Sequence, residues 1–248
     1  MVADRMRCDF AQEGEMSTIK LFHMYASPWA ERVRWALNYK GMPYEKENYQ
    51  PGVDEEKIKK LTGQAQVPVL MVDATAIPDS TAILNWLEKY KPQPTLMPTS
   101  EKDRAQVMMW EDLMDGVLGP HARILIIGHF LRSSEPELQQ GGSYFAQKYQ
   151  YSAYAEEHAK ATIERILTIL RYALEERQYL VGEAFTRADV TTASMLLLVN
   201  PPPDELFLFP PAMRPKYTVP LTSDPRFAPV FAWRDGMYRK HRGEAVKP

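Results

Sequence analysis

The sequence predicts a small α/β domain followed by a larger all-α domain. In residues 19–90, short apolar runs typical of strands alternate with helical patterns. A proline-rich stretch without periodicity follows, and after it apolar residues recur only at helical spacing. We therefore divide the chain into an N-terminal tail (1–18), an α/β domain (19–90), a linker (91–100) and an all-helical domain (101–248).

The first half of the α/β domain is predicted to be strand, helix, strand. Ile19 to Tyr25 is rich in β-branched and aromatic residues, which is typical of a short buried strand. Pro28 occupies the first helical turn, where its missing N–H has no intrahelical partner to lose. The helix is expected to stop at Gly41. The segment "PYEKENY", residues 43–49, predicts a second strand that is exposed on one side.

The second half of the α/β domain is predicted to be strand, strand, helix. Residues 69–72 form the first of these strands and Ala76-Ile77 a brief returning strand. Asp73-Ala74 is the turn between them, although it lacks the glycine typical of such hairpins. Asp79 or Ser80 then caps a helix, and the apolar face of this helix carries Ile83, Leu84 and Leu87.

The helical domain is predicted from apolar periodicity. One helix carries Val107, Trp110, Met114 and Val117 on a single face, a second runs from about Ala155 to Leu174, a third covers "FTRADVTTASMLLLV", and a last one lies near Phe231 to Arg239. The polar, Gly-containing stretch from Ser133 to Ser143 predicts a loop. Residues 201–229 hold nine prolines and predict a long irregular excursion.

Composition excludes several functional classes. The formal net charge of -2 gives no reason to expect nucleic acid or an anionic membrane as partner. No apolar run reaches the roughly 18 residues of a membrane-spanning helix. The N-terminus lacks the apolar core of a secretion signal. The single cysteine, Cys8, excludes an intramolecular disulfide and a thiolate metal cluster. We expect a cytoplasmic protein without a metal.

Ser27 lies where the first strand passes into the first helix. Serine is a favoured N-cap, and Pro28 follows it at the first helical position. The same position suits a reactive group, because a helix N-terminus favours an anion and a hydroxyl can donate to a thiolate or carboxylate. The sequence leaves open whether Ser27 is a cap alone or also part of a site.

Two other chemistries at Ser27 are disfavoured. No G-x-S-x-G elbow surrounds it and nothing places His23 against its hydroxyl, so acyl transfer is not expected. Compared with the C-P-x-C of dithiol oxidoreductases, Ser27 and Ala30 replace both cysteines. These two positions therefore cannot form a disulfide, which favours anion stabilisation.

Two further motifs are candidate binding residues. In Gln66-Val67-Pro68-Val69, a proline enters a strand; either this is an edge strand, or a cis bond turns the Val67 backbone outward to pair with an extended peptide. Asp79-Ser80 is either another helix cap or a zwitterion site. In the second case Asp79 binds an ammonium group, and Ser80 with the helix N-terminus binds a carboxylate.

The remaining chemistry-bearing residues are interpreted as structural. The five histidines are scattered without zinc-ligand spacing. Trp110 and Met114 are typical of core packing, and together with Tyr25 and Trp29 they are also candidates for lining an apolar cleft between the domains.

In "SPWAERVRWALNYKG", "QVPVL", "DSTAI" and "YLVGEAFTRADV" the chain resembles the glutathione transferase superfamily. The similarity extends in pattern from Ile19 to about Val199. It implies a thioredoxin-like N-terminal domain, an all-helical C-terminal domain, a homodimer and glutathione as co-substrate. Thr186 and Asp189 match the capping box that the family carries in a buried helix; it serves folding.

The resemblance also implies roles for the site residues. Ser27 occupies the position of the serine that donates to the glutathione thiolate in the serine-dependent classes. Val67-Pro68 matches the cis-proline loop that pairs with the cysteinyl backbone, and Asp79-Ser80 matches the pair that holds the γ-glutamyl group. Gln66 lies near the glycyl end. The implied activity is glutathione transfer to a hydrophobic electrophile, typical of detoxification.

Three departures from the family pattern leave the class and the electrophile open. Position 79 is Asp where the family more often has Glu, "DATA" replaces a Gly-containing hairpin, and residues 201–229 match no particular class. Alternatives are glutathione-dependent ether cleavage or dehalogenation with the same thiolate, and a protein that binds glutathione or apolar ligands without turnover. If Ser27 does not contact the sulfur, Tyr25 is the next candidate.

Overall fold

A computed structural model describes residues 17–243, so most of the predicted tail, including Cys8, lies outside the described residues. The α/β half contains a four-stranded mixed sheet in the order β2-β1-β3-β4. β1 is parallel to β2 and antiparallel to β3, which is antiparallel to β4. Its elements are β1 (Ile19–His23), α1 (Pro28–Tyr39), β2 (Glu45–Asn48), α2 (Glu55–Thr62), β3 (Val69–Val72), β4 (Thr75–Pro78) and α3 (Ser80–Tyr90).

The predicted strands and helices of this half are confirmed, but the sequence interpretation missed α2. That helix has only eight residues and two apolar ones, Ile58 and Leu61, and of these only Ile58 is buried, so it offers too short a pattern to stand out from its charged neighbours. Its signals are electrostatic: glutamates open it, lysines close it, and Gly63 ends it in the left-handed conformation, with φ 79°. At the turn between β3 and β4, Asp73 takes the positive φ (53°) that a glycine would otherwise supply.

Between α3 and α4, which begins at Glu101, the chain forms neither helix nor strand. This stretch is nevertheless held in place by the buried Lys40 at the end of α1. Its ammonium donates to the carbonyls of Lys91 and Pro94, at 2.9 and 2.8 Å, and pairs with Glu88 at 2.9 Å. The connection therefore packs against the α/β half.

The second half of the chain is helical. It comprises α4 (Glu101–Leu113), a π-helical turn (Met114–Leu118), α5 (Gly119–Leu131), α6 (Pro136–Lys148), α7 (Ala153–Ala173), α8 (Arg187–Met195) and α9 (Ala228–Met237). The proline-rich excursion contains three short 3₁₀ turns, at Arg214–Tyr217, Pro220–Ser223 and Pro225–Phe227. In α8 the predicted capping box is present, and the Asp189 carboxylate also accepts from the backbone N–H of Leu180.

The predicted loop at 133–143 is wrong, because α6 begins at Pro136. Gly142 explains the error. It lies where α6 crosses α5, and a Cβ built there would lie 2.8 Å from Phe130 Cβ and 2.9 Å from the Leu131 backbone nitrogen. The glycine allows the two helices to pack closely, whereas the composition of the segment alone suggests that no helix forms there.

Gly142→Ala is therefore expected to destabilise the protein by about 1–3 kcal/mol, because the methyl group overpacks the contact between α5 and α6. Its neighbour Gly141 is the matched control, since a Cβ there meets nothing within 4 Å. Gly141→Ala should be neutral or stabilising by up to about 1 kcal/mol through helix propensity. Urea denaturation measures both. Equal effects of the two substitutions would contradict this account of α6.

One hydrophobic cluster runs through both halves of the chain and includes Trp35 and Leu37 of α1 together with Val190 and Met195 of α8. The first helix therefore packs directly on the helical half. None of the described helices is both long and apolar enough to cross a membrane.

Candidate functional site

A cavity of about 950 Å³ lies between the α/β half and the helical half. Seven of the predicted site residues line it: Ser27, Trp29, Gln66, Val67, Pro68, Asp79 and Ser80. They come from three places in the chain: the start of α1, the loop before β3 and the start of α3. The sheet order places β1 beside β3, which brings these three loops to one end of the domain.

Ser27 is the N-cap of α1 and is 5% exposed. Its Oγ accepts a hydrogen bond from the Ala30 backbone N–H at 3.4 Å. Within residues 17–243 this is the only hydrogen bond of the hydroxyl, so its own O–H is available to donate. The cap and a donor role are therefore compatible.

The other two motifs also have the predicted backbone geometry. The Val67–Pro68 peptide bond is cis. Asp79 is the N-cap of α3, with a positive φ of 74°, and its carboxylate accepts from the Ala82 backbone N–H at 2.9 Å. Ser80 is therefore the first residue of α3, and its hydroxyl is buried.

Arg32 and Asp115 are part of the site architecture that sequence reasoning missed. Arg32, fully buried on α1, donates to Ser80 Oγ at 2.5 Å, to Thr81 Oγ1 at 2.8 Å and to Asp115 Oδ2 at 2.7 Å. Asp115 lies in the π-helical turn and lines the cavity. One guanidinium thus ties α1 to α3 and to the helical half.

Trp29 crosses from α1 to the helical half. Its Nε1–H donates to Asp115, and its ring lies so close to Gly119 that a Cβ there would come within 2.8 Å of it. The Arg123 guanidinium carbon lies 4.4 Å from the centre of the same ring. Positions 115, 119 and 123 form one face of the continuous helical segment, and Trp29 packs along that face.

The helical half supplies the apolar part of the cavity. Its lining residues are Ile126, Ile127 and Phe130 of α5, Phe145 of α6, Tyr149 directly after α6, Leu198 after α8, and Met213 and Tyr217 of the proline-rich excursion. The excursion therefore contributes directly to the wall of the cavity. Sequence reasoning named none of these residues, because their spacing along the chain shows only that they are apolar.

The other candidates for an apolar cleft, Trp110, Met114 and Tyr25, are not among the residues that line this cavity. Trp110 and Met114 are 6% and 0% exposed and belong to the core. Tyr25 does not line the cavity; its hydroxyl donates to the Leu208 carbonyl at 2.7 Å, and its ring lies 5.0 Å from that of Phe207. Burial raises the pKa of Tyr25 to about 12.

Two of the histidines make packing contacts outside the cavity lining. His23 is buried below the cavity, with Nδ1 2.8 Å from Arg34, and His241 stacks on Phe185. Within residues 17–243 no three His, Cys, Asp or Glu side chains are arranged to hold a metal ion.

Comparison with known proteins matches both halves. The glutathione S-transferase N-terminal domain model matches residues 21–95, and the C-terminal domain model matches residues 127–210. A probable glutathione S-transferase of Nicotiana tabacum is 24% identical over 182 residues, 71% of this chain and 68% of that protein. Maleylpyruvate isomerase of Ralstonia is 37% identical over 92 residues, 36% of this chain and 43% of that protein.

A solved structure extends the match to the fold. The glutathione S-transferase of Methylobacterium radiotolerans, crystallised with glutathione sulfonate, superimposes with a TM-score of 0.60 at 25% identity. The superposition covers 86% of this chain and 93% of that one.

Proposed function

Because this chain belongs to the glutathione transferase superfamily, we propose that it transfers glutathione to an electrophile, with Ser27 stabilising the thiolate. The observation that carries the proposal is the convergence of the Ser27, Val67-Pro68 and Asp79-Ser80 motifs on one cavity. The solved relative bound to glutathione sulfonate supports the same ligand class.

In this proposal glutathione lies along the three loops. The Val67 backbone pairs with the cysteinyl residue, Asp79 and Ser80 hold the γ-glutamyl group, and Gln66 lies at the glycyl end. Arg32 is a positioning residue, since its bond to Ser80 Oγ fixes that hydroxyl. The sulfur lies against the start of α1, and the electrophile occupies the apolar half of the cavity.

The geometry at Ser27 can supply the required electrostatics. A free thiol has a pKa near 8.5, so only a few per cent is ionised at pH 7. Lowering that pKa by about two units takes roughly 2.7 kcal/mol. A hydrogen bond to a charged group contributes about 1.5–3 kcal/mol and a helix N-terminus about 0.3–1 kcal/mol. The thiolate then attacks the electrophilic carbon, and the leaving group departs with the bonding electrons.

Ser27→Ala is expected to lower kcat/KM for an aryl halide about tenfold to a hundredfold at neutral pH, because one charge-assisted hydrogen bond is lost. The pKa of bound glutathione, measured from the ultraviolet absorbance of its thiolate, should rise. Ser152→Ala is the matched control, since Ser152 caps α7 in the same way, with a 3.1 Å bond from the Ala155 N–H. An unchanged thiolate titration in Ser27→Ala would refute the assigned role.

Two alternatives use the same site. In glutathione-dependent ether cleavage or dehalogenation only the electrophile differs, and the isomerase relative adds isomerisation to the reactions worth assaying. A panel of electrophiles distinguishes these reactions. A non-catalytic protein would bind glutathione in calorimetry and turn over none of them. On the family's pattern we also propose that the protein is a cytoplasmic homodimer. Light scattering, which measures the molar mass in solution, tests the dimer.

A further inference from the structure

A cation lies in the half of the cavity that the proposed function assigns to the electrophile. Arg123 of α5 lines the cavity beside Ile127, Phe130 and Tyr217. Its guanidinium carbon lies 4.4 Å from the centre of the Trp29 ring and 4.1 Å from that of Tyr149. Two aromatic rings from different halves of the chain thus hold one guanidinium.

The other charged groups of the cavity have partners. Asp115 is paired with Arg32 at 2.7 Å, Lys148 with Glu55 at 3.1 Å, and Asp79 caps α3. In the part of the chain that the structure describes, Arg123 forms no ion pair. Its contacts are with the two rings. Burial lowers the pKa of its guanidinium, and the neighbouring Tyr149 and Asp115 offset this lowering only in part.

This environment favours a bound anion. Removing a cation from water without a counter-charge costs desolvation free energy. Binding an anion beside such a cation in an apolar site offsets this cost. The two rings lie close to the guanidinium carbon, and a guanidinium carries its N–H donors in its own plane, where a carboxylate can accept two hydrogen bonds. The apolar wall around it suits a hydrocarbon body.

We propose that Arg123 selects electrophiles that carry a carboxylate on an apolar body, and that the cation held between Trp29 and Tyr149 binds this carboxylate. The inference rests on the proposed function, because it assumes that the neighbouring loops hold glutathione. The glycyl carboxylate of glutathione has the same chemistry, and the experiment separates the two sources.

Binding of two conjugates tests the proposal without turnover. S-benzylglutathione and S-(4-carboxybenzyl)glutathione differ only in the carboxylate on the ring. The wild type should bind the carboxylated conjugate about tenfold to a hundredfold more tightly in calorimetry, in line with a hydrogen bond to a charged group. Arg123→Met should abolish this preference and leave the affinity for S-benzylglutathione within about threefold. Arg123→Lys, which keeps the charge, should retain part of the preference.

Arg171→Met is the matched control, since Arg171 also stacks on an aromatic ring, Tyr172, outside the cavity. It should keep the full preference. Equal affinity of the wild type for both conjugates would overturn the proposal. So would an equal loss for both conjugates in Arg123→Met, which would assign the arginine to the glycyl carboxylate. If neither conjugate binds the wild type, the glutathione site itself is refuted.

Discussion

Glu31→Gln is expected to lower the free energy of unfolding by about 3–5 kcal/mol, because it leaves buried cations without their counter-charge. Glu31 lies in the first turn of α1 and is fully buried. Its carboxylate pairs with Arg34 at 2.7 Å and with Arg242 at 2.7 Å. These two arginines are also buried, so neither cation gains water when the carboxylate is neutralised.

Urea denaturation at pH 7 measures the effect. Burial alone would raise the pKa of Glu31, but Arg242 and Arg34 more than offset this and hold the pKa below its ordinary value. For a lowered carboxyl pKa, the stabilisation is present above the unfolded-state pKa and is lost as the pH falls through the folded-state one. At neutral pH the full difference between wild type and variant is therefore available.

Glu157→Gln is the matched control. Glu157 and Lys160 have the same i, i+3 spacing as Glu31 and Arg34, but both side chains are exposed, so the change should cost less than about 1 kcal/mol. Adding Arg242→Met to Glu31→Gln should recover part of the loss, because one uncompensated cation is then removed. Equal losses in the free energy of unfolding for Glu31→Gln and Glu157→Gln would show that the ion pairs of Glu31 have no special role in stability.

Elements with strong apolar periodicity could be predicted from the sequence, and elements formed for other reasons could not. β1, α1, β3 and α3 each present an apolar face to the core, and that face is visible as a pattern. α2 buries one residue, and α6 contains two adjacent glycines, one of which allows the close approach to Phe130. Such features depend on a neighbour that is distant in sequence.

The same distinction applies to the cavity. The three loop motifs are local, because each combines a turn or a cap with a helix or strand start, so their residues could be named from the sequence. Arg32 and Arg123 gain their importance from Ser80 and Trp29, which lie 48 and 94 positions away in the chain. For Trp110, helical periodicity predicted a buried position. It did not show whether the side chain would lie in the core or line a cleft between the domains.

His23→Asn is expected to reduce the decrease in the free energy of unfolding that occurs as the pH falls from 6.5 to 4. His23 is 2% exposed, and burial, followed by the charges of Arg34 and Lys46, lowers its pKa to about 4. Arg34 donates to Nδ1 at 2.8 Å, which places the proton of the neutral ring on Nε2. Nε2 is buried without a hydrogen-bond partner, so nothing there stabilises the imidazolium.

The sign of the effect follows from proton binding. Between about pH 4 and the ordinary histidine value of 6.5, the unfolded chain binds a proton at His23 that the folded chain does not. Stability therefore falls as the pH is lowered through this window, by about 1.4 kcal/mol per unit and by about 3 kcal/mol over all of it. The asparagine side chain of the variant binds no such proton, while its amide oxygen can still accept from Arg34.

The measurement is the difference in unfolding free energy between wild type and His23→Asn, taken by urea denaturation at pH 7 and at pH 4.5. Using a difference is essential, because burial raises the pKa of Asp189 to about 6, and that group acts in the opposite direction over the same window. Asp189 is present in both proteins and its contribution cancels. His158→Asn, the same substitution at an exposed position, is the matched control variant. A difference that stays constant from pH 7 to pH 4.5 would show that His23 is not held neutral beneath the start of α1.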